Sequence, residues 1–64
     1  MTDTKILIEF IEKNELDIHV VKINKKFFAT VSGGQIEIFE SGISFYSALE
    51  LACESWKRLK SEMK

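Results

Sequence analysis

Cysteine, histidine and proline are scarce or missing in this chain of 64 residues. The single cysteine, Cys53, cannot form an internal disulfide, and it leaves a thiolate metal site without a second sulfur. The single histidine, His19, excludes the paired histidines of the usual zinc spacings. No metal ion, cofactor or small-molecule substrate is therefore expected. Of the supports that small domains often use, association with another chain is the one that remains.

An excess of charge of one sign is lacking too. Nine Lys and Arg against ten Asp and Glu give a formal net charge of −1, so no overall basic field attracts phosphates. The apolar run Ile6–Ile8 ends at Glu9, far short of a membrane span, and no signal-peptide pattern opens the chain. We expect a cytoplasmic protein that has no membrane partner. A lone unpaired cysteine agrees with that compartment.

Hydrophobic spacing predicts one α+β domain over residues 1–64, ordered helix–strand–strand–strand–helix. The first segment, from Asp3 to about Asn14, has helical spacing, although its alternating isoleucines also allow a strand. Thr2, Asp3 or Thr4 is expected to cap this helix, and Asn14 to end it in a left-handed turn.

The last segment has the strongest helical pattern, because its apolar residues recur at intervals of three and four for five turns. Ser44 is expected to cap this helix, with Ile43 packing onto Ala48, although Ser47 and Glu50 allow a start one turn later. The apolar stripe consists of Phe45, Ala48, Leu49, Ala52, Cys53, Trp56, Leu59 and Met63.

Three runs rich in β-branched and aromatic residues predict a meander of strands at 18–23, 27–32 and 35–40. Gly33 and Gly34 suit the two positive-φ positions of a type I′ turn. That turn would place Phe28 opposite Phe39, with three further pairs: Val31 and Ile36, Ala29 and Ile38, Thr30 and Glu37. A similar turn at Asn24-Lys25 would set Val20 opposite Ala29, Val21 opposite Phe28 and His19 opposite Thr30.

Alternation along these strands predicts a sheet that is apolar on both faces. One face carries Ile18, Val20, Ala29, Val31, Ile36 and Ile38. The other carries Val21, Ile23, Phe28 and Phe39. Two helices on short loops most easily cover one face, so we expect both to pack on the aliphatic side, although they could instead cover the aromatic face or lie over both faces. The uncovered aromatic side would then be an interface for a second copy or another protein, since contiguous exposed apolar patches mark such surfaces.

Other candidate sites carry less weight. His19, Thr30 and Glu37 would align across the strands, and such a polar row is usually a solvated cluster and rarely an acid–base pair. Cys53 lies on the apolar stripe, where a cysteine is normally inert packing. No catalytic residue is therefore predicted. Two basic groups could contact phosphates of double-stranded RNA or DNA. They are Lys22, Lys25 and Lys26 around the first hairpin, and Lys57, Arg58 and Lys60 in the last helix.

The order helix–three strands–helix, with Gly42 and Ser44 leading into the last helix, resembles the double-stranded-RNA-binding domain. Ala48, Ala52 and Cys53 stand where that family has its alanine and its alanine pair. The resemblance implies the fold, but Phe45, Tyr46 and Leu49 replace the family's phosphate-binding lysines, so its RNA contacts carry over to none of those positions.

A second and fainter likeness, from about residue 27 to residue 59, is to HicB-type antitoxins, which begin with a strand. The chain is also similar in style to small bacterial or phage accessory proteins. Taken together, these features of the sequence predict a non-enzymatic interaction module, with nucleic-acid binding as the alternative.

Overall fold

The computed structural model describes residues 2–62, with side chains from residue 4 onward. Three antiparallel strands form an open sheet in the order β1-β2-β3. A helix precedes the sheet and a second helix follows it, which confirms the predicted α+β fold. The elements are α1 (Thr2–Lys13), β1 (Asp17–Ile23), β2 (Lys26–Gly33), β3 (Ile36–Gly42) and α2 (Phe45–Glu62).

Helix α1 ends in a left-handed residue, but one position later than predicted. Glu15, with φ of 54°, takes the conformation expected of Asn14. The Glu15 N–H donates to the Glu12 carbonyl and the Leu16 N–H to the Ile11 carbonyl, which is the Schellman pattern. Asn14 instead donates its side-chain amide to the Phe10 carbonyl at 2.8 Å. This arrangement places Leu16 in the core. The predicted caps Thr2 and Asp3 have side chains outside the described residues, as does Met63.

The first hairpin has the predicted register. Asn24 and Lys25 form its two-residue turn, with φ of 50° and 68°, as a type I′ turn requires. Val21 therefore pairs with Phe28, and His19 with Thr30.

The second hairpin has a strand register that differs from the predicted one by two residues, because its turn lies one position later. Its turn consists of Gly34 and Gln35, with φ of 57° and 71°, and Gly33 belongs to β2. A Cβ on Gly33 would lie 2.7 Å from Leu16 Cδ2, so a side chain at this position would have to displace the buried tip of Leu16. The predicted turn at Gly33-Gly34 is thus wrong.

All four predicted pairs between β2 and β3 are therefore wrong as well. The observed partners are Val31 with Ile38, Thr30 with Phe39, Ala29 with Glu40, and Phe28 with Ser41. A slip of two residues leaves every side chain on its predicted face, because side chains alternate with a period of two.

Both helices pack on the aliphatic face, as predicted. The buried core consists of Leu7, Leu16, Ala29, Val31, Ile36, Ala48, Leu49, Ala52, Cys53 and Trp56. Phe10 of α1 meets Trp56 of α2 edge to face, with ring centroids 5.8 Å apart. The first helix is therefore joined to the core through the second helix.

Ser44 caps α2, as predicted, and the helix does not begin a turn later. The Ser47 N–H donates to Ser44 Oγ at 3.1 Å, and the Ser44 N–H donates to Ser47 Oγ at 3.2 Å, so the two serines form a reciprocal capping box. The predicted packing of Ile43 onto Ala48 is wrong, because Ile43 is 86% exposed.

Candidate protein interface

The face of the sheet opposite the helices is uncovered and apolar at its centre. We call it the open face and define it by Val21, Ile23, Phe28 and Phe39, the residues predicted as a partner interface. Phe39 is 66% exposed, Ile23 54% and Val21 38%, and Phe28 is half-buried. Side chains of this size usually lose most of their exposure on folding, so the open face keeps a surface that another molecule could cover.

Phe28 and Phe39 form the centre of the open face. They lie diagonally on neighbouring strands, not directly opposite, and their rings stack with centroids 6.0 Å apart and planes 14° from parallel. Diagonal neighbours on a sheet are within reach of aromatic side chains, which is why the slip in register still brings the two rings together. The stack presents a broad, rigid apolar area to the outside.

Charged residues flank the stack, and their signs differ between the two ends of the strands. Asp17 and Glu37 both pair with Ser32 at the end near the second turn, while Lys26 lies at the end near the first turn. All three charged side chains are exposed. The open face is thus acidic at one end and basic at the other.

The predicted polar row is not formed as expected. His19 pairs with Thr30, but the partner of Thr30 on β3 is Phe39, and Glu37 pairs with Ser32 instead. The carboxylate therefore lies one pair further along the open face than predicted, because of the two-residue slip. The row that crosses all three strands ends in an aromatic ring and lacks the acid of an acid–base pair.

The two basic groups lie at opposite ends of the molecule. Lys22, Lys25 and Lys26 surround the first turn. Helix α2 starts at that end, since Phe45 contacts Phe27, and runs to the other end, where Trp56 Nε1 donates to the Gly33 carbonyl. Lys57, Arg58 and Lys60 are therefore near the second turn, in a molecule whose longest dimension is 38 Å. The structure does not bring the six residues into one patch.

A cluster that the sequence analysis missed lies at the end near the first turn. Ile43 is 86% exposed and Phe45 54% exposed. Phe45 meets Phe27 edge to face at 6.5 Å, and Lys22 Nζ lies 5.7 Å from the centre of the Phe27 ring. In the sequence, the only sign of this cluster is a large apolar residue on each side of the helix cap Ser44, a pattern that equally predicts packing.

Cys53 is buried, as predicted. Burial raises the pKa of its thiol to about 11, and the nearby Glu54 carboxylate adds to the rise. A shallow groove between α1 and α2 lies above it, bordered by Ile6, Tyr46 and Glu50. A neutral, buried thiol is a poor nucleophile, so Cys53 acts as a packing residue.

Within the part of the chain that the structure describes, no three His, Cys, Asp or Glu come together as metal ligands would. Neither helix, over its described length, has a stretch that is long and apolar enough to cross a bilayer.

Comparison with protein-family models, characterised proteins and solved structures finds no match to this chain.

Proposed function

We propose that the protein is a non-enzymatic interaction module that pairs with a second copy of itself through the open face. The observation that carries this proposal is the stacked Phe28–Phe39 pair, of which Phe39 remains 66% exposed. Aromatic side chains that lose water at the centre of an interface contribute much of its binding energy. We place the module in the cytoplasm, where the lone thiol of Cys53 would stay reduced.

The charges of the open face favour a second copy as the occupant. Two sheets that pack face to face keep their strands nearly aligned, so a two-fold axis between them runs either along or across the strands. An axis along the strands would set Lys26 against Lys26 of the partner, and Asp17 against Glu37 of the partner. An axis across the strands would instead place Lys26 between the partner's Asp17 and Glu37. The second arrangement is self-complementary, and we propose it for the dimer.

The size of the open face indicates how strong this association should be. Three strands of about seven residues cover roughly 350 Å² in each copy, from the ordinary spacing of strands and residues. The total is below the roughly 1,200 Å² of a standard stable interface, which is typical of weak and transient association. We therefore expect a dissociation constant on the order of 10–100 µM, with monomer and dimer in rapid exchange.

Sedimentation velocity over a concentration series, from about 5 to about 500 µM, tests the proposal. The average mass should rise toward that of a dimer. Phe39→Asp should raise the dissociation constant by about 30-fold or more, because it removes an aromatic anchor and places a charge in the interface. Ile6→Asp is the matched control, since Ile6 is 62% exposed on α1, away from the sheet. It should dimerise like the wild type.

A mass that stays monomeric to the highest concentration would rule out the dimer. Dimerisation that Ile6→Asp abolishes and Phe39→Asp leaves intact would move the interface from the sheet to the helices. Circular dichroism of both variants checks that each remains folded, as expected for changes at exposed positions.

Nucleic-acid binding is the second candidate, and the first-hairpin lysines are the observation that favours it. Lys22, Lys25 and Lys26 belong to a stretch, residues 18–36, without a single carboxylate. A complex with duplex RNA that uses these lysines should weaken steeply as salt is added, because bound counterions are released on binding. Fluorescence anisotropy with a labelled RNA duplex measures this. No binding at low salt, or a flat salt response, would exclude it.

A further inference from the structure

The end of the molecule at the first turn combines exposed apolar side chains with positive charge. We call it the hairpin end and define it by Lys22, Lys25, Lys26, Ile43 and Phe45. Ile43 is 86% exposed between the last strand and the helix that follows it, and Phe45 is 54% exposed beside it. Neither residue belongs to the open face, so the proposed dimer leaves both of them uncovered.

Positive charge surrounds these two side chains from both sides of the sheet. Lys26 points to the open face, Lys22 lies on the helix side above Phe27, and Lys25 is in the turn between them. Helix α2 begins here without an acidic residue in its first turn, so the positive end of its dipole adds to the field. No carboxylate occurs in residues 18–36 or 41–49.

The net charge of −1 does not cancel this local field. Charges in physiological salt are screened beyond about 8 Å, whereas the molecule is 38 Å long. Within one copy, the acidic residues of the opposite end, Asp17 and Glu37, are therefore too distant to neutralise the hairpin end. In the proposed dimer, the partner's copies of these residues would pair with Lys26 and leave Lys22 and Lys25 unpaired by them.

The other carboxylates nearest to the hairpin end along the chain are Glu40, which is half-buried on β3 and accepts a hydrogen bond from Ser55 Oγ, and Glu50 on α2. The three lysines outnumber these two.

We propose that the hairpin end binds the surface of an anionic phospholipid bilayer, with Ile43 and Phe45 entering the interfacial region and the lysines contacting headgroup phosphates. A bilayer offers both parts of this chemistry, negative charge and an apolar layer just below it. Nucleic acid offers the phosphates and could stack a base on Phe45, but it has no apolar layer that would take up the aliphatic side chain of Ile43. Lys26 is shared with the open face, and the other four residues of the hairpin end lie outside it. The monomer therefore presents the complete site, and binding does not require dimerisation.

Co-sedimentation with vesicles tests this proposal. One set of vesicles is phosphatidylcholine alone and the other contains about 30% phosphatidylserine. The protein should pellet with the anionic set and stay in solution with the neutral set. Ile43→Ser should lower the partition coefficient about tenfold, through the lost apolar burial. Lys25→Ala should lower it about fivefold, as expected for one basic residue near an anionic surface.

Leu59→Ser and Arg58→Ala are matched controls at the far end of α2, where Leu59 is 40% exposed. Both should bind vesicles like the wild type. The proposal is overturned by an absence of pelleting, by equal pelleting with neutral vesicles, or by an Ile43→Ser variant that binds normally. A labelled single-stranded RNA serves as the competing probe. Binding of that RNA without binding of anionic vesicles would assign the lysines to nucleic acid instead.

Discussion

The indole Nε1 of Trp56 donates a hydrogen bond to the backbone carbonyl of Gly33 at 3.0 Å. This bond ties the middle of α2 to the last residue of β2, next to the second turn. Trp56 is only 2% exposed, and its ring also receives Phe10 of α1. The Trp56 side chain, which belongs to α2, therefore contacts both α1 and the sheet.

Trp56→Phe should lower the free energy of unfolding by about 1–3 kcal/mol, because the Gly33 carbonyl loses its indole donor while an aromatic ring is kept. Urea denaturation followed by circular dichroism measures the change, since the variant has no tryptophan fluorescence. Leu51→Ala, at an exposed position of α2, controls for mutation of the helix. Equal stability of Trp56→Phe and wild type would show that the hydrogen bond contributes nothing.

Gly42→Ala should destabilise the fold more than Gly34→Ala. A Cβ on Gly42 would lie 2.8 Å from the backbone nitrogen of Ala48, which cannot move without shifting α2. We expect a loss of about 2 kcal/mol or more there. Gly34 has open space around it apart from Lys60 Nζ, and its positive φ costs an alanine about 1 kcal/mol. Thermal unfolding of both variants compares them, and the reverse order would contradict the close approach of β3 and α2.

Ser44→Ala should cost about 1 kcal/mol of stability, because the Ser47 N–H at the start of α2 loses the side-chain oxygen that accepts it. The matched control is Ser61→Ala, which removes an exposed hydroxyl near the other end of the same helix and should leave stability unchanged within about 0.5 kcal/mol. Chemical denaturation of the two variants side by side gives the difference. Equal effects would mean that the cap does not stabilise the helix.

Cys53 should resist alkylation in the folded protein. Its pKa rises from 9.0 to about 11 on folding, so at pH 8 the thiolate fraction falls by about a hundredfold, and burial further limits access. Iodoacetamide labelling followed by mass spectrometry, with and without urea, measures the ratio of rates. Labelling at the same rate in both conditions would show that the thiol is accessible.

The same shift makes stability depend on pH. The contribution from a neutral Cys53 thiol is complete below about pH 9 and is lost as pH rises through about 11. Cys53→Ala should lack this component, so the stability difference between wild type and variant should shrink over that range.

Lys26→Glu distinguishes the two possible axes of the proposed dimer. With the axis across the strands, the new carboxylate would face Asp17 and Glu37 of the partner, and the dissociation constant should rise about tenfold. With the axis along the strands, one like-charged pair replaces another and little changes. Lys25→Glu, in the turn, controls for net charge. Adding Asp17→Lys and Glu37→Lys to the Lys26→Glu variant should restore dimerisation.

Local sequence signals predicted most of the fold. Hydrophobic period predicted both helices and all three strands, and the turn residues Asn24 and Lys25 predicted the first register. The second register failed because Gly33 and Gly34 both suit a turn. In the structure Gly33 lies in β2, where Leu16 occupies the space that a side chain at position 33 would need. The contact between Leu16 and Gly33 joins distant parts of the chain, so the local sequence around the turn does not predict it.

The same contrast applies to the surfaces. The composition of the open face followed from alternation alone, and a two-residue slip could not alter it. Whether Ile43 packs onto the helix or points to solvent depends on the path of the chain between Gly42 and Ser44. The sequence therefore does not predict the hairpin end, which follows only from the structure.

The two turns lie at opposite ends of the sheet, as they must in a three-stranded meander. A dimer with its axis across the strands inherits this opposition, so its two hairpin ends point away from each other. In such a dimer, the two hairpin ends could not both contact the same flat membrane. If both proposed contacts form, one dimer would bind two separate vesicles.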